Sequence, residues 1–191
     1  MKIVTLLGSP RKNSITTTLA NRLVATAEGL GAETKTFELN LLSYRGCQGC
    51  YACKTGLDRC VLDDDLANVL NAAADADVLV LATPVYYGDV TGQLKCFIDR
   101  TFSWLKPDYV GNPLPSRLTP GKTLVFVMSQ GNPDENLFAD IFPRYGKFFA
   151  WLGFTETRLV RACGVGPATV DAAPEAVLRQ AEETARELMG K

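Results

Sequence analysis

Apolar runs alternate with amphipathic stretches along the whole chain, and this pattern predicts repeated strand and helix units. The predicted strands are five short apolar segments, at about 2–7, 33–39, 78–82, 123–128 and 155–162. The predicted helices lie at about 14–29, 63–75 and 92–104, in a segment that ends near 152, and at about 174–189. Strands that alternate with helices are typical of a parallel sheet with helices on its faces. We therefore predict a single α/β domain over residues 1–191.

The polarity of the strands predicts their order in the sheet. The segments I-V-T-L-L, V-L-V-L-A and L-V-F-V-M are almost continuously apolar, as expected for strands covered on both faces. The segments E-T-K-T-F-E-L and T-R-L-V-R-A carry charges, which edge strands tolerate. With strands two and five at the edges, the order 2-1-3-4-5 follows, which is that of the flavodoxin-like doubly wound sheet.

Composition and charge exclude several classes of function. The 191 residues include 20 Lys and Arg against 21 Asp and Glu, so we expect neither nucleic acid nor an anionic membrane surface as a partner. No apolar stretch is long enough to span a bilayer or to form the core of a signal peptide, so we expect a cytoplasmic protein. The chain contains no histidine, which excludes histidine acid–base catalysis and histidine metal ligands.

Four of the six cysteines lie close together in a loop predicted at about 45–61: Cys47, Cys50, Cys53 and Cys60. The C-x2-C-x2-C run with a fourth cysteine downstream is similar to the ligand pattern of ferredoxin-type iron–sulfur clusters. Structural zinc usually takes two C-x-x-C pairs with a longer spacer, and a disulfide framework suits a smaller secreted domain. A cluster and a resting dithiol therefore remain the two alternatives. The other two cysteines, Cys96 and Cys163, are expected to be buried core thiols.

Three polar loops follow the three inner strands, where a sheet of this order binds its ligands. The first, G-S-P-R-K-N-S-I-T-T at 8–17, offers hydroxyls, helix-start amides and Arg11 to a phosphate; a plain Ser/Thr helix cap is the alternative. It lacks both G-x-G-x-x-G and G-x-x-x-x-G-K-[ST], which argues against a dinucleotide fold and a P-loop.

The other two loops suit a flat ligand. The second, A-T-P-V-Y-Y-G-D-V-T-G-Q-L-K at 82–95, supplies two aromatic rings and a glycine that lets backbone approach closely. Two tyrosines that merely cap the sheet are the alternative. The third loop, S-Q-G-N-P at 129–133, is small and polar and faces the same edge.

These motifs resemble those of the iron–sulfur flavoprotein branch of the flavodoxin-like NAD(P)H-dependent FMN reductases. G-S-P-R-K-N-S, the cysteine run followed by D-D-D, and P-V-Y-Y-G-D-V-T-G-Q-L-K-C-F-I-D-R occur in the same order there, although many members have Gly-Asn in place of Ser14-Ile15. The resemblance implies an FMN site and a [4Fe–4S] site, with these residues: Ser9, Arg11, Asn13, Ser14 and Thr16 at the phosphate; Pro84, Val85, Tyr86, Tyr87, Gly88, Ser129, Gln130, Gly131 and Asn132 at the ring; and Cys47, Cys50, Cys53 and Cys60 at the cluster.

The same resemblance implies an FMN-dependent oxidoreductase that is reduced by NAD(P)H or a ferredoxin. The flavin carries the chemistry, so no catalytic side chain is named, and the cluster would relay single electrons. The alternatives are a cluster-free NAD(P)H-dependent FMN or quinone reductase and a non-enzymatic thiol redox sensor or carrier. An aromatic-rich segment at 137–154 predicts either a homodimer or homotetramer interface, as in the resembled family, or packing against the sheet.

Overall fold

A five-stranded parallel sheet forms the centre of the protein. The computed structural model describes residues 1–166 and 173–190. The strands are β1 (Lys2–Leu7), β2 (Glu33–Glu38), β3 (Val78–Pro84), β4 (Lys122–Ser129) and β5 (Phe154–Ala162). They pair in the order β2-β1-β3-β4-β5, and every pairing is parallel. The predicted flavodoxin-like fold and strand order are confirmed.

Helices cover both faces of the sheet. In the described residues they are α1 (Ile15–Gly29), α2 (Ala52–Thr55), α3 (Asp65–Asp75), α4 (Gly92–Arg100), α5 (Ile141–Trp151) and α6 (Glu175–Leu188). Leu19 of α1 and Ala181 of α6 pack in a hydrophobic cluster on one face. Helices α3, α4 and α5 contribute Leu66, Leu94 and Phe149 to the cluster on the opposite face. The burial of one side of each helix against the sheet provides most of its stability.

The strands differ in burial as their polarity predicts. Strands β1, β3 and β4 are buried over nearly their whole length, whereas β2 has no buried residue. The edge strand β5 alternates between buried and exposed stretches. Charged residues on β2 and β5 therefore reach water without leaving the sheet.

Some boundaries differ from those predicted. The helix predicted at 92–104 ends at Arg100 and continues as a 3₁₀ turn over Thr101–Trp104. The helix predicted from 63 begins at Asp65, because the Asp64 side chain caps it by accepting from Leu66 N. The prediction also missed α2, a single helical turn inside the cysteine loop.

No helix in the ranges 1–166 and 173–190 is both long and apolar enough to cross a membrane.

Candidate functional site

The three polar loops after β1, β3 and β4 meet around one cavity of about 150 Å³. Its volume is below the roughly 300–1,000 Å³ of whole-ligand sites, so it can enclose only part of a cofactor. The cavity is lined by Ser9, Arg11, Ser14, Ile15, Pro84, Val85, Tyr86, Ser129, Gln130, Gly131, Val165 and Gly166. Most of the residues predicted to contact flavin are therefore adjacent. The predicted residues that do not line the cavity are Asn13, Thr16, Tyr87, Gly88 and Asn132.

The first loop ends in the amino terminus of α1. Ser14 is the N-cap, and its Oγ accepts from Thr17 N at 3.1 Å. Ser9 Oγ accepts from Arg11 N at 3.2 Å. The first amides of a helix lack intrahelical partners and carry a partial positive charge, so this end favours an anion. Ser14 is therefore a helix cap, which was the alternative interpretation of the first loop, and it also lines the cavity.

Gly8 joins the first loop to the second. Its N donates to Ala82 O at 2.8 Å, and its carbonyl accepts from Thr91 Oγ1 at 2.8 Å. A Cβ at this position would lie 2.9 Å from Thr91 Oγ1 and 3.0 Å from Leu94 Cβ. The two loops approach so closely here that no side chain fits.

The second loop contains a tight turn. Tyr86 N and Asp89 O are 2.9 Å apart, Asp89 N and Tyr86 O are 3.1 Å apart, and the two central residues have positive φ: 51° at Tyr87 and 84° at Gly88. The turn presents Tyr87 fully exposed, so this tyrosine does not cap the sheet. Tyr145 of helix α5 supports this turn, since its OH donates to Asp89 Oδ1 at 2.9 Å. Burial and this carboxylate raise the pKa of Tyr145.

The third loop is held from inside by Gln130. Its Nε2 donates to Asn132 O and Asp134 O, both at 2.9 Å, and its Oε1 accepts from Arg161 Nε at 3.1 Å. Because its polar side-chain atoms are all bonded within the protein, Gln130 shapes the loop. Thr16 has a similar role: it is fully buried, and its Oγ1 lies 2.6 Å from Ser129 Oγ, which joins α1 to β4.

The segment after β5 adds lining residues that the sequence reasoning missed. Val165 N donates to Gln130 O at 3.0 Å, and Gly164 N donates to Asn132 O at 3.1 Å. This pairing brings Val165 and Gly166 to the cavity. The prediction considered only the ends of inner strands, whereas the small residues G-V-G at 164–166, shortly after the end of β5, were the available signal.

The four clustered cysteines line a second cavity, of about 420 Å³, together with Arg100 and Phe102. Cys47 and Cys50 are exposed, and Cys53 and Cys60 are half-buried. In the described part of the chain, no three His, Cys, Asp or Glu side chains are close enough to hold one metal ion. Four cysteines around one cavity match the ligand number of a [4Fe–4S] cluster, which distributes its ligands over several iron atoms.

Two cationic side chains attach the cysteine loop to the neighbouring backbone. Lys54 Nζ donates to Phe102 O at 2.6 Å and to Leu105 O at 2.8 Å, and it lies 4.0 Å from the centroid of the Phe102 ring. Burial lowers the pKa of Lys54, an effect that the nearby Cys53 opposes. Arg117 Nη2 donates to Cys53 O at 3.1 Å. These contacts fix α2 beside the cavity.

The remaining cysteines lie apart from this cavity. Cys96 and Cys163 are half-buried, so the prediction of core thiols was wrong about their burial. Cys96 lies in α4, where a Cβ on Gly46 would meet its Sγ at 3.3 Å, and Cys163 comes directly after the edge strand β5. Burial raises the pKa of the Cys163 thiol.

Helix α5 carries aromatic residues on two faces. Tyr145 and Phe149 are buried against the sheet, whereas Phe148 and Trp151 are exposed and lie edge to face with centroids 6.4 Å apart. The segment therefore packs on the sheet and also presents apolar surface to solvent.

Comparisons with known proteins give relatives of two kinds. An iron–sulfur flavoprotein of Archaeoglobus fulgidus is 33% identical over 117 residues, which cover 59% of this chain and 53% of that protein. An FMN-dependent NADH:quinone oxidoreductase of Stenotrophomonas maltophilia is 31% identical over 108 residues, 53% of this chain and 52% of that one. The chain thus spans about half the length of the curated relatives it matches.

The fold is similar over a longer range. The structure of an NAD(P)H:quinone oxidoreductase from Methanothermobacter marburgensis superimposes with a TM-score of 0.78 at 19% identity, covering 98% of this chain and 96% of that one. Residues 1–138, which include all three strand-end motifs, match the model of the NADPH-dependent FMN reductases. The chain therefore belongs to the NADPH-dependent FMN reductase family.

Proposed function

We propose that this chain is an FMN-dependent oxidoreductase that receives reducing equivalents from NAD(P)H or a ferredoxin. The observation that carries the proposal is the convergence of three polar loops on one cavity at the amino terminus of α1. Ligands of doubly wound sheets bind at this edge, and helix amino termini favour phosphate. Membership of the family supports FMN as the ligand.

The residues divide between the two ends of the cofactor. Ser9, Arg11, Ser14 and the first amides of α1, with Asn13 beside them, would hold the phosphate, and the small, half-open cavity suits this end of the cofactor. The loops at 84–88 and 129–132 would orient the ring. When bound, FMN supplies hydride and single-electron transfer, so the protein needs no acid or base of its own. The exposed ring of Tyr87 offers a stacking surface to a flat substrate.

Flavin titration tests this assignment. We expect the purified chain to quench the fluorescence of FMN at a one-to-one ratio and to bind riboflavin, which lacks the phosphate, at least tenfold more weakly. Arg11→Met should weaken FMN binding without changing riboflavin binding. Arg22→Met is the matched control, because Arg22 lies on the same segment of chain but pairs with Glu182 at the surface. A folded protein without affinity for FMN would refute the proposal.

Activity follows from the same preparation. We expect the FMN-loaded chain to oxidise NADH or NADPH anaerobically when a soluble quinone is present as acceptor, since quinone reductases occur among its relatives. Loaded protein that a ferredoxin reduces but neither nicotinamide does would identify the ferredoxin as the donor. Loaded protein that none of these reduces would contradict the proposed activity.

We also propose that Cys47, Cys50, Cys53 and Cys60 ligate a [4Fe–4S] cluster. The shared cavity and the iron–sulfur flavoproteins among the relatives support this. Anaerobic reconstitution should give about four irons and four sulfides per chain. Cys50→Ser should lose most of this iron, whereas Cys163→Ser should keep it. FMN-loaded wild type without iron would instead support the cluster-free FMN or quinone reductase.

The exposed pair Phe148 and Trp151 supports a homodimer or homotetramer. Light scattering on the wild type should give the mass of two or four chains, and the double variant Phe148→Ser, Trp151→Ser should give a smaller species. A monomeric wild type would refute the assembly.

A further inference from the structure

Arg100, the last residue of α4, is a fully buried arginine beside the cysteines. It is 1% exposed, and it lines the same cavity as Cys47, Cys50, Cys53 and Cys60. Arginine is almost never buried to this extent unless its charge and its donors are matched. The partners of Arg100 therefore show what the residue does.

Two of its nitrogens join the two ends of the cysteine loop. Nη1 donates to Asp64 Oδ1 at 2.6 Å and to Arg45 O at 3.3 Å, and Nη2 donates to Leu62 O at 3.1 Å. Arg45 lies just before Cys47, and Leu62 lies just after Cys60. The guanidinium thus holds together the chain that enters the loop and the chain that leaves it.

Asp64 completes this junction. Its Oδ2 also accepts from Arg45 N at 3.2 Å. Burial by itself would raise the pKa of Asp64, but the hydrogen bonds from Arg100 and from the backbone outweigh it and lower the pKa. The two charges therefore face each other as an ion pair at the base of the loop.

The third nitrogen of Arg100 has no such partner. Its Nε is buried and makes no hydrogen bond within residues 1–166 and 173–190. A buried donor without an acceptor is costly, and in a native protein it indicates a function or a ligand. The cavity that Arg100 lines also contains Asp99, whose carboxylate pairs with Lys95, and the four cysteines, whose sulfurs and the sulfides of a bound cluster would be acceptors.

We propose that Arg100 is a positioning residue for the cysteine site, whose Nε–H donates to a sulfur of the cluster and whose charge raises the cluster's reduction potential. This inference rests on the proposed cluster. On reduction the cluster gains one electron from the reductant, and no bond to the protein forms or breaks. A buried cation stabilises the more negative, reduced form, and the Asp64 carboxylate opposes this effect.

Two variants test this with opposite signs. In Arg100→Gln the cation and the Nε–H are lost, so the potential should fall. In Asp64→Asn the opposing carboxylate is lost, while asparagine still caps α3, so the potential should rise. At the wild-type midpoint we expect each variant to change the ratio of reduced to oxidised cluster about tenfold, which is 59 mV for one electron.

The measurement is a redox titration in which the anaerobically reconstituted full chain is reduced with dithionite. Electron paramagnetic resonance monitors the amount of reduced cluster at each potential. Arg22→Gln, which removes an exposed arginine, should leave the potential unchanged. A role in loop closure alone would lower the iron content of both variants without opposite shifts, and that result would overturn the inference. If Arg100→Gln does not fold, Asp64→Asn alone tests the inference. An unchanged or lower potential in that variant would contradict it.

The failure of the underlying proposal has a different signature. Wild type that takes up no iron under the same reconstitution removes the cluster, and the inference with it. Wild type that holds a cluster, with variants whose potentials do not move, removes only the role of Arg100.

Discussion

The proposed flavin crevice, which is the cavity between the loops after β1, β3 and β4, and the cysteine cavity are built in different ways. The crevice lies at the ends of three buried strands, and the residues that shape it are buried themselves: Ser9, Ser14, Thr16, Ser129 and Gln130. The cysteine cavity lies in a long loop whose α-helix has four residues, and two of its four cysteines are exposed. One site follows from the sheet, whereas the other depends on what holds a loop in place.

The attachments of that loop are mostly cationic. Lys54 and Arg117 bind backbone carbonyls around α2, and Arg100 joins the ends of the loop. Positive side chains beside the four cysteines would offset the negative charge that a cluster and its ligands bring together. The comparison therefore predicts that damage to the framework affects the crevice and the whole fold together, while damage to an anchor loosens the cysteine loop alone.

The largest effect is expected at Gly8. Gly8→Ala would place a Cβ 2.9 Å from Thr91 Oγ1 and 3.2 Å from Ala82 O, so the first two loops must separate. We expect a loss of about 2–3 kcal/mol of stability, a melting temperature lower by about 4–12 °C, and at least tenfold weaker FMN binding. Calorimetry and fluorescence titration measure these. Gly92→Ala is the control, because its Cβ meets nothing within 4 Å; equal behaviour of the two variants would contradict the account.

The second largest effect is expected at Arg117, which anchors the cysteine loop. Arg117→Met removes donors to Ser103 O and Cys53 O, both at 3.1 Å, and leaves these carbonyls unpaired. We expect the loop to open more easily by about 2 kcal/mol, so that amides of α2 such as Lys54 N and Gly56 N exchange about 30-fold faster. Hydrogen exchange with mass spectrometry on the cluster-free chain tests this.

Measurements at the proposed flavin crevice serve as the internal control for Arg117→Met. In Arg117→Met the exchange of Gly8 N and the affinity for FMN should be unchanged, and Arg22→Met should alter neither region. Faster exchange throughout the molecule would mean that the loop and the sheet open as one unit, and the comparison would fail.

The difference between the two regions also explains what the sequence could predict. The order of the strands follows from their polarity, because β1, β3 and β4 are apolar on both faces and β2 is not. The positions of the strand-end loops follow from that order, so the crevice was largely predictable.

The remaining features depend on contacts that a sequence pattern does not contain. Helix α2 begins after Tyr51, whose φ is 57°, and one turn is too short to produce a helical period. The role of Gln130 depends on Arg161, which is 31 residues away. Arg100 lies in one of the sequence motifs, but its burial against Asp64 joins residues 36 positions apart, with α3 and β3 between them.

A smaller effect is expected at Ser14, where the helix cap and the proposed phosphate site coincide. Ser14→Ala loses the acceptor for Thr17 N and should cost about 1 kcal/mol, or about 2–4 °C in melting temperature without FMN. Ser14→Asp restores the cap and should restore stability, but its charge should weaken FMN binding at least tenfold. If Ser14→Asp binds FMN as the wild type does, Ser14 caps the helix and does not face the phosphate.

The smallest effect is expected at Tyr44, just before the cysteine loop. Tyr44 OH donates to Gln93 O at 3.1 Å, and burial, with a contribution from Cys96, raises the pKa of Tyr44 from 10.0 to about 12. Because the folded state favours the neutral phenol, its stabilising contribution is complete below pH 10 and is lost as the pH rises towards 12. Tyr44→Phe should lower the free energy of unfolding by about 1 kcal/mol at pH 8, and the difference from wild type should narrow from pH 10 upwards.

Urea unfolding at pH 8, 10 and 11 measures this difference in unfolding free energy. Tyr87→Phe is the control, because it removes the hydroxyl of a tyrosine that is fully exposed. A constant gap for Tyr44→Phe across this range would show that the phenol is solvated in the folded protein, and the entry to the cysteine loop would then be looser than its contacts indicate.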